Sequence, residues 1–265
     1  MPHELEVVRA APLTAPVIRA KSDPADARLA TMEVAFSRFA EWYEIDSFWE
    51  GRFLERTERG AFAKTIKENR DRIKVQFDHG YDPSIGTKLL GTIDDLTEEK
   101  SSPLGVVALF DTSYNRDLLP GLDAGVYGSS MRMVVIKDEW NEEPGRSDYN
   151  PDGIPERTIK EVRLLEFGPV TWPANPSSTA GTRSGTDYYY ERLQASRPAA
   201  FEELTRSHKP RTPHLTEAGP TTSEADGAAR TTPAEPVEDH SGGLTPAQRR
   251  ERLTNHLRGE SDDSR

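Results

Sequence analysis

The chain has 265 residues, a net charge of −11, 34% apolar and 30% charged residues, and no cysteine. That composition excludes disulfides, thiolate metal sites and a cysteine nucleophile. Its acidic balance has the wrong sign for a general nucleic-acid binder, which needs a basic face to displace counterions.

Residues 1–30 mix alanine, proline and charge without periodicity, and are expected to form a flexible leader. The opening MPHELEVVRAAPLTAPVIRAK carries no apolar stretch of the secretory kind. No run of about 18 apolar residues occurs anywhere, so no membrane span is expected. Residues 31–195 hold all four Trp, all eight Tyr and eight of the nine Phe. This is the part that can bury a core.

In TMEVAFSRFAEWYEI, Met32, Val34 and Phe36 alternate with polar partners, which predicts a strand. GAFAKTIKENRD spaces Phe62 and Ile66 four apart and predicts a short helix. IKVQFDH alternates Ile73, Val75 and Phe77 and predicts the next strand. KLLGTIDDLTEE and LGVVALFD predict two strands around a polar connection from Glu98 to Pro103. SYNRDLLPGLDAG predicts a helix ending in a glycine turn, and VYGSSMRMVVIKDEW a strand. After a polar loop, RTIKEVRLLEFGPVTWPANP predicts a last strand, interrupted at Gly168-Pro169 and stopped by Pro173. About six strands with two or more helices predict an α+β fold with an antiparallel sheet or a small barrel. Residues 196–243 are rich in Pro, Thr, Glu, Ala and Gly and are expected to be a disordered linker. Residues 244–265 contain the pattern of a short helix, with Thr245 as N-cap, Pro246 after it, Leu253 and Leu257 on one face and Gly259 as the stop.

The chemistry centres on one residue. Six histidines occur in the chain, and His79 is the one that falls between Met32 and Arg206. Imidazole titrates near neutrality and can serve as a general base. The serines Ser129 and Ser130 lie inside a predicted strand beside Gly128. Glu166 interrupts the apolar run RLLEFGPV, where an unpaired charge costs several kcal/mol, on the order of known buried-charge penalties. A structural histidine, two strand serines and a solvated glutamate would read the same way. Nucleophile–base–carboxylate sets are recognised by geometry. The paired carboxylates Asp94-Asp95 and Glu142-Glu143 read as solvated turns, and a single histidine without cysteines is a poor zinc site, so no metal or cofactor is expected.

Three segments resemble the prohead proteases of tailed phages, in the family order and across about residues 31 to 182. They are GRFLERTERGAFAKTIKENRDRIKVQFDHGYDPSIGTKLLGTIDDLTEE, AGVYGSSMRMVV and EVRLLEFGPVTWPANPSSTA. The resemblance implies a serine endopeptidase with His79 as base, Ser130 as nucleophile and Glu166 as the orienting acid. Ser129 is the alternative nucleophile and Glu161 the alternative acid. Backbone N–H groups near Ser130 and Arg132, or Arg132 itself, are candidates to hold the oxyanion. The fold implied is like the herpesvirus assemblin protease: a closed, mostly antiparallel β-barrel of six to seven strands flanked by helices, within residues 31–195. Implied partners are phage scaffold and major capsid protein and a second copy in a homodimer, with no nucleic acid and no membrane. The implied location is the immature capsid in the host cytoplasm. The other class of function considered is a non-enzymatic scaffold or assembly factor derived from such a protease. Met131 and Met133 depart from the aromatic or branched residues usual beside the serine.

Overall fold

The computed structural model describes residues 5–11, 15–21, 25–171 and 185–206. The helix expected within residues 244–265 and most of the expected linker lie outside these.

The described chain forms ten strands and four α-helices. In order they are β1 (Glu6–Ala11), β2 (Val17–Ala20), β3 (Arg28–Ala35), β4 (Tyr43–Ser47), β5 (Gly51–Thr57), α1 (Ala63–Asn69), β6 (Lys74–Val75), β7 (Gly91–Glu98), β8 (Pro103–Phe110), α2 (Ser113–Asp123), β9 (Gly128–Asn141), β10 (Glu156–Val170), α3 (Gly185–Ser196) and α4 (Pro198–Thr205). The first thirty residues thus contain β1, β2 and the start of β3, and α4 lies beyond Ser196. The predicted strand through TMEVAFSRFAEWYEI is two strands, β3 and β4. Between them the chain turns at Ala40, whose φ of 62° is left-handed.

The expected closed barrel is not found. The strands make two open sheets. One runs β1-β9-β10-β5-β4, with β6 beside the far end of β10. The other runs β2-β3-β8-β7. Every pairing is antiparallel except those of β10 with β5 and β6. At one corner the sheets approach, and the Leu90 N–H donates to the Val75 carbonyl at 3.0 Å. No ladder follows. The physical reason is the length of β6: after Val75 the chain soon turns at Asp78–Gly80, so β6 is too short to pair on its second side.

The edge of β10 opposite β9 is satisfied piece by piece, as buried backbone requires. Strand β5 pairs with Glu156 to Ile159. Then the Glu58 N–H donates to the Ile159 carbonyl (3.0 Å), the Val162 N–H to the Ala61 carbonyl (3.0 Å) and the Leu164 N–H to Thr65 Oγ1 (3.1 Å). Strand β6 takes over at Glu166 and Phe167. Helix α1, predicted from its Phe62/Ile66 spacing, therefore fills a gap in the sheet. The turn that leads into it is anchored by Glu98, which accepts from the Gly60 and Phe62 N–H groups, both at 2.8 Å.

The main core lies between the sheets. Phe36 stacks on Phe167 with centroids 4.6 Å apart and meets Phe62 edge-on at 5.7 Å. Gly105 is required beneath this stack, because a Cβ there would lie 2.4 Å from the Phe167 ring. A second cluster covers the outer face of the larger sheet. In it, Tyr189, Tyr190 and Leu193 of α3 and Phe201 of α4 pack on Val8 and Trp49. The candidate site lies on this outer face, beneath α3.

Candidate active site

Strand β9 sorts its residues by alternation. Met131 and Met133 are fully buried in the main core. Ser129 falls on their face, and Ser130 and Arg132 fall on the other. In the β9–β10 register Ser130 opposes Gly168 and Arg132 opposes Glu166. Ser130, Arg132 and Glu166 therefore share the outer face.

Plain alternation along β10 would have sent Glu166 inward with Val162 and Leu164, which are core residues. A register shift between Leu164 and Glu166 reverses the faces. Bulges re-aim side chains in this way. Phe167 goes into the core, and the Glu166 carboxylate, 1% exposed, stays on the outer face. The last strand also runs unbroken through Gly168-Pro169 to Val170, contrary to the interruption expected there. Gly168 has a specific role: a Cβ would sit 2.0 Å from the Gln76 carbonyl. Its absence lets the chain that leads to His79 lie against β10.

The predicted strand IKVQFDH is regular over Lys74–Val75 and then turns. Asp78, His79 and Gly80 have φ of 45°, 55° and 78°. Two consecutive non-glycine residues in the left-handed region are uncommon and cost of order 1–3 kcal/mol each. Tertiary contacts hold the turn. Asp78 accepts from the Thr171 N–H (2.8 Å) and hydroxyl (2.9 Å) at the end of β10. Arg192 of α3 donates to the Tyr81 carbonyl at 2.6 Å. So clamped, His79 points its Nδ1 at Glu166 Oε1, and the two form a short hydrogen bond. The Asp78 anchor was not singled out in the sequence. An aspartate beside a histidine and a glycine at a strand end is a signal that could have found it.

Arg132 completes the charged group. Its guanidinium donates to Tyr189 at 2.5 Å and to Glu6 at 3.1 Å, and its Nε lies 3.9 Å from Glu166 Oε1. Burial alone would lower the Arg132 pKa, but Glu166, Tyr189 and Glu6 outweigh it and raise it. Burial pushes the Tyr189 phenol well above its ordinary value; Arg132 opposes that shift and Glu6 adds to it. Glu166 Oε2 and Arg132 Nε are buried without a hydrogen-bond partner.

His79 and Glu166 are thus brought together, with Ser130 on the same face of β9 and β10. Ser130 is 2% exposed, and its Oγ donates to the Arg9 carbonyl of β1 at 3.0 Å rather than to His79. Glu161 is elsewhere. Its carboxylate bridges Lys137 (2.7 Å) and Lys64 (3.0 Å), which lower its pKa. Asp94 and Asp95 are exposed on β7, not in a turn, and Asp94 pairs with Arg28 at 2.8 Å.

Residues 21–189 match the family model of the caudovirus prohead serine protease. The chain belongs to this family. No curated protein matches it. Among solved structures, the bacteriophage T4 capsid assembly protease, gp21, is similar at 11% identity and a TM-score of 0.40, over 64% of this chain and 98% of that one. The prohead protease match begins at residue 21, so it takes in His79, Ser130 and Glu166 and leaves β1 outside.

Among the described residues no helix is long and apolar enough to cross a membrane, and no cluster of three His, Asp or Glu side chains could hold a metal ion.

Proposed function

We propose that this prohead protease is a serine endopeptidase of capsid maturation, with Ser130 as nucleophile, His79 as base and Glu166 as the group that orients His79. The observation that carries the proposal is the buried His79–Glu166 hydrogen bond on the face that also bears Ser130.

The roles follow from the chemistry. Glu166 accepts from Nδ1–H, which fixes the tautomer and leaves Nε2 as the base. His79 Nε2 takes the Ser130 proton as Oγ attacks a peptide carbonyl carbon, and later returns it to the leaving amine. Water then hydrolyses the acyl-enzyme by the same route. Glu166 stabilises the imidazolium formed in between. Arg132, the next residue on this face, places a firmly held positive charge near the developing oxyanion. The amides beside Ser130 lie in a strand paired on both edges, by β1 and β10, so the charge of Arg132 is the oxyanion partner proposed. Ser129 faces Met131 and Met133 in the core, which favours Ser130. Glu161 is committed to two lysines, which favours Glu166.

The substrates proposed are the scaffold and the major capsid protein inside the assembling capsid, together with the protease itself. Incubating the wild-type chain and its Ser130→Ala form with purified scaffold, and sizing the products by mass spectrometry, tests this. Cleavage by the first and none by the second is expected. Equal cleavage by both would move the nucleophile elsewhere, and no cleavage by either would overturn the enzymatic reading.

A further inference from the structure

Helix α3 supplies none of the three proposed catalytic groups, yet it reaches the site twice. Arg192 donates to the Tyr81 carbonyl, just after the turn that carries His79. Three residues earlier on the helix, the Tyr189 hydroxyl accepts from Arg132. The helix is itself firmly seated. Asp187 accepts from the Ser47 hydroxyl at 2.7 Å and the Phe48 N–H at 3.0 Å. Thr186 Oγ1 accepts from the Val8 N–H at 3.1 Å, and the Tyr190 hydroxyl from the Glu6 N–H at 3.2 Å. A group mounted on a rigid element can hold a neighbouring side chain closely in place.

Arg132, Tyr189 and Glu6 form a closed triangle. Arg132 Nη1 donates to the Tyr189 hydroxyl at 2.5 Å and to Glu6 Oε2 at 3.1 Å, and the Tyr189 hydroxyl donates to the same Oε2 at 2.9 Å. Both hydrogens of Nη1 are thereby used, which fixes the guanidinium plane. Its Nε, without a hydrogen-bond partner among the described residues, is left on the side of Glu166. The two acceptors act differently on the cation. Glu6 holds Arg132 but offsets part of the charge that an oxyanion would meet. Tyr189 holds it and offsets none, because burial keeps the phenol protonated.

We infer that Tyr189 is a positioning residue for the reaction: its hydroxyl aims Arg132 at the developing oxyanion, and α3 thereby sets that cation and the His79 turn in fixed relation. The inference rests on the role proposed for Arg132.

The test follows cleavage of purified scaffold by the full chain, by Tyr189→Phe, by Arg132→Ala and by the double variant, with a thermal melt of each. Phenylalanine keeps the ring, which meets Tyr81 and Tyr190 edge-on and lies 5.1 Å from the guanidinium carbon, and removes the hydroxyl. Tyr189→Phe is expected to lower kcat about thirtyfold with KM changed less than about twofold, since a 1 Å displacement of a catalytic group costs on the order of 10²-fold. Arg132→Ala should lose about 10²–10³-fold, as when an oxyanion partner is removed. In the double variant the missing hydroxyl should cost less than about twofold more, because an aiming group has nothing left to aim. Equal losses from Tyr189→Phe with and without Arg132, or a change in KM alone, mean a merely structural role and overturn the inference. Normal turnover of Tyr189→Phe beside a crippled Arg132→Ala overturns it too, and leaves the proposed function standing. Near-normal turnover of Arg132→Ala removes Arg132 from the proposed mechanism and takes the inference with it. If Tyr189→Phe does not fold, Glu6→Gln decides, since glutamine keeps an acceptor for both neighbours and drops the charge. A kcat within about threefold of the wild type is then expected, and a fall of about tenfold or more means that Arg132 depends on the carboxylate and not on the phenol.

Discussion

Two buried charged groups, both contacting β1, are wired in opposite ways. In the first, Arg9, Glu50, Glu55 and Arg157 saturate one another. All four carboxylate oxygens of Glu50 and Glu55 accept from Arg9, and Tyr43 and Arg157 add further bonds to Glu55. In the second, Glu166 has one oxygen on His79 and the other without a partner, and Arg132 keeps an unpartnered Nε. An unsatisfied buried polar atom costs about 1–3 kcal/mol. A fold gains nothing by carrying two of them side by side. A site that must hold a charge appearing during a reaction does gain, because unused capacity is what a developing charge can use. The saturated group fixes β1 to the sheet, and the unsaturated one marks where chemistry is to be sought.

If that contrast is right, the largest losses of activity come from the unsaturated group. Ser130→Ala should lower kcat by about 10⁶-fold, the order found when a nucleophile is removed from such a set. The fold should survive, since the change deletes one hydrogen bond with a net worth of about 1 kcal/mol. Ser129→Ala should keep near-normal turnover. Scaffold cleavage read beside thermal melts checks both, and a dead Ser129→Ala with an active Ser130→Ala would shift the register by one.

Glu166→Gln comes next. It keeps the shape but can no longer hold an imidazolium, and losses of up to about 10⁴-fold follow from removing an orienting carboxylate. An unchanged kcat would remove Glu166 from the mechanism and with it the contrast between the two groups.

The saturated group should respond in stability. Glu55 is fully buried, and burial alone would raise its pKa. Arg9, followed by Arg157 and the hydrogen bond from Tyr43, outweighs burial and holds it below the ordinary value of 4.5. The native carboxylate then binds fewer protons than the unfolded chain between those two values. Its stabilisation is complete above about 4.5 and is lost as pH falls through the lower native value. Glu55→Gln should cost about 3 kcal/mol near neutrality, the lower end for breaking a buried pair, because Glu50 still holds Arg9. Urea melts of both forms at pH 7 and in acid should show the gap narrowing as pH falls. A gap that stays constant would mean that charge is not what ties β1 down.

Much of this was legible in the sequence, and the gaps have definite causes. Strands β7 and β8 and helices α1 and α2 follow from periodicity; the pairing of His79 with Glu166 was implied by the family resemblance, since periodicity alone left a structural histidine and a solvated glutamate open. Strand β1 was missed because Val7 and Val8 are both buried, one in each core. A strand covered on both faces loses its alternation. Strand β5 was missed because it buries Glu55 next to Leu54 and Phe53, so its composition reads as polar. The three successive tyrosines of α3 hide a helical period. The strand count allowed a sheet or a small barrel and the resemblance chose the closed barrel; closure depends on how far β6 extends before its turn, which apolar spacing does not encode. The bulge before Glu166 is equally silent, yet it decides which way that carboxylate points.

The smallest expected effect tests whether the site is held in place from outside. Asp78 touches none of the proposed catalytic groups; it ties the left-handed His79 turn to Thr171 through two hydrogen bonds. Asp78→Ala removes both bonds and puts a residue with little tolerance for positive φ at 45°. His79 would keep its chemistry and lose its fixed position. Displacements of about 1 Å in a catalytic group cost on the order of 10²-fold in rate. The expected result is therefore a kcat lowered about a hundredfold with KM little changed. Asp78→Asn separates position from charge, since asparagine tolerates the left-handed region and keeps an acceptor oxygen for Thr171. It should recover most of the lost rate. If alanine and asparagine are equally slow, the carboxylate charge at Asp78 matters in itself and the clamp does not. If both match the wild type, the contacts from α3 and Gly168 suffice to hold His79 against Glu166.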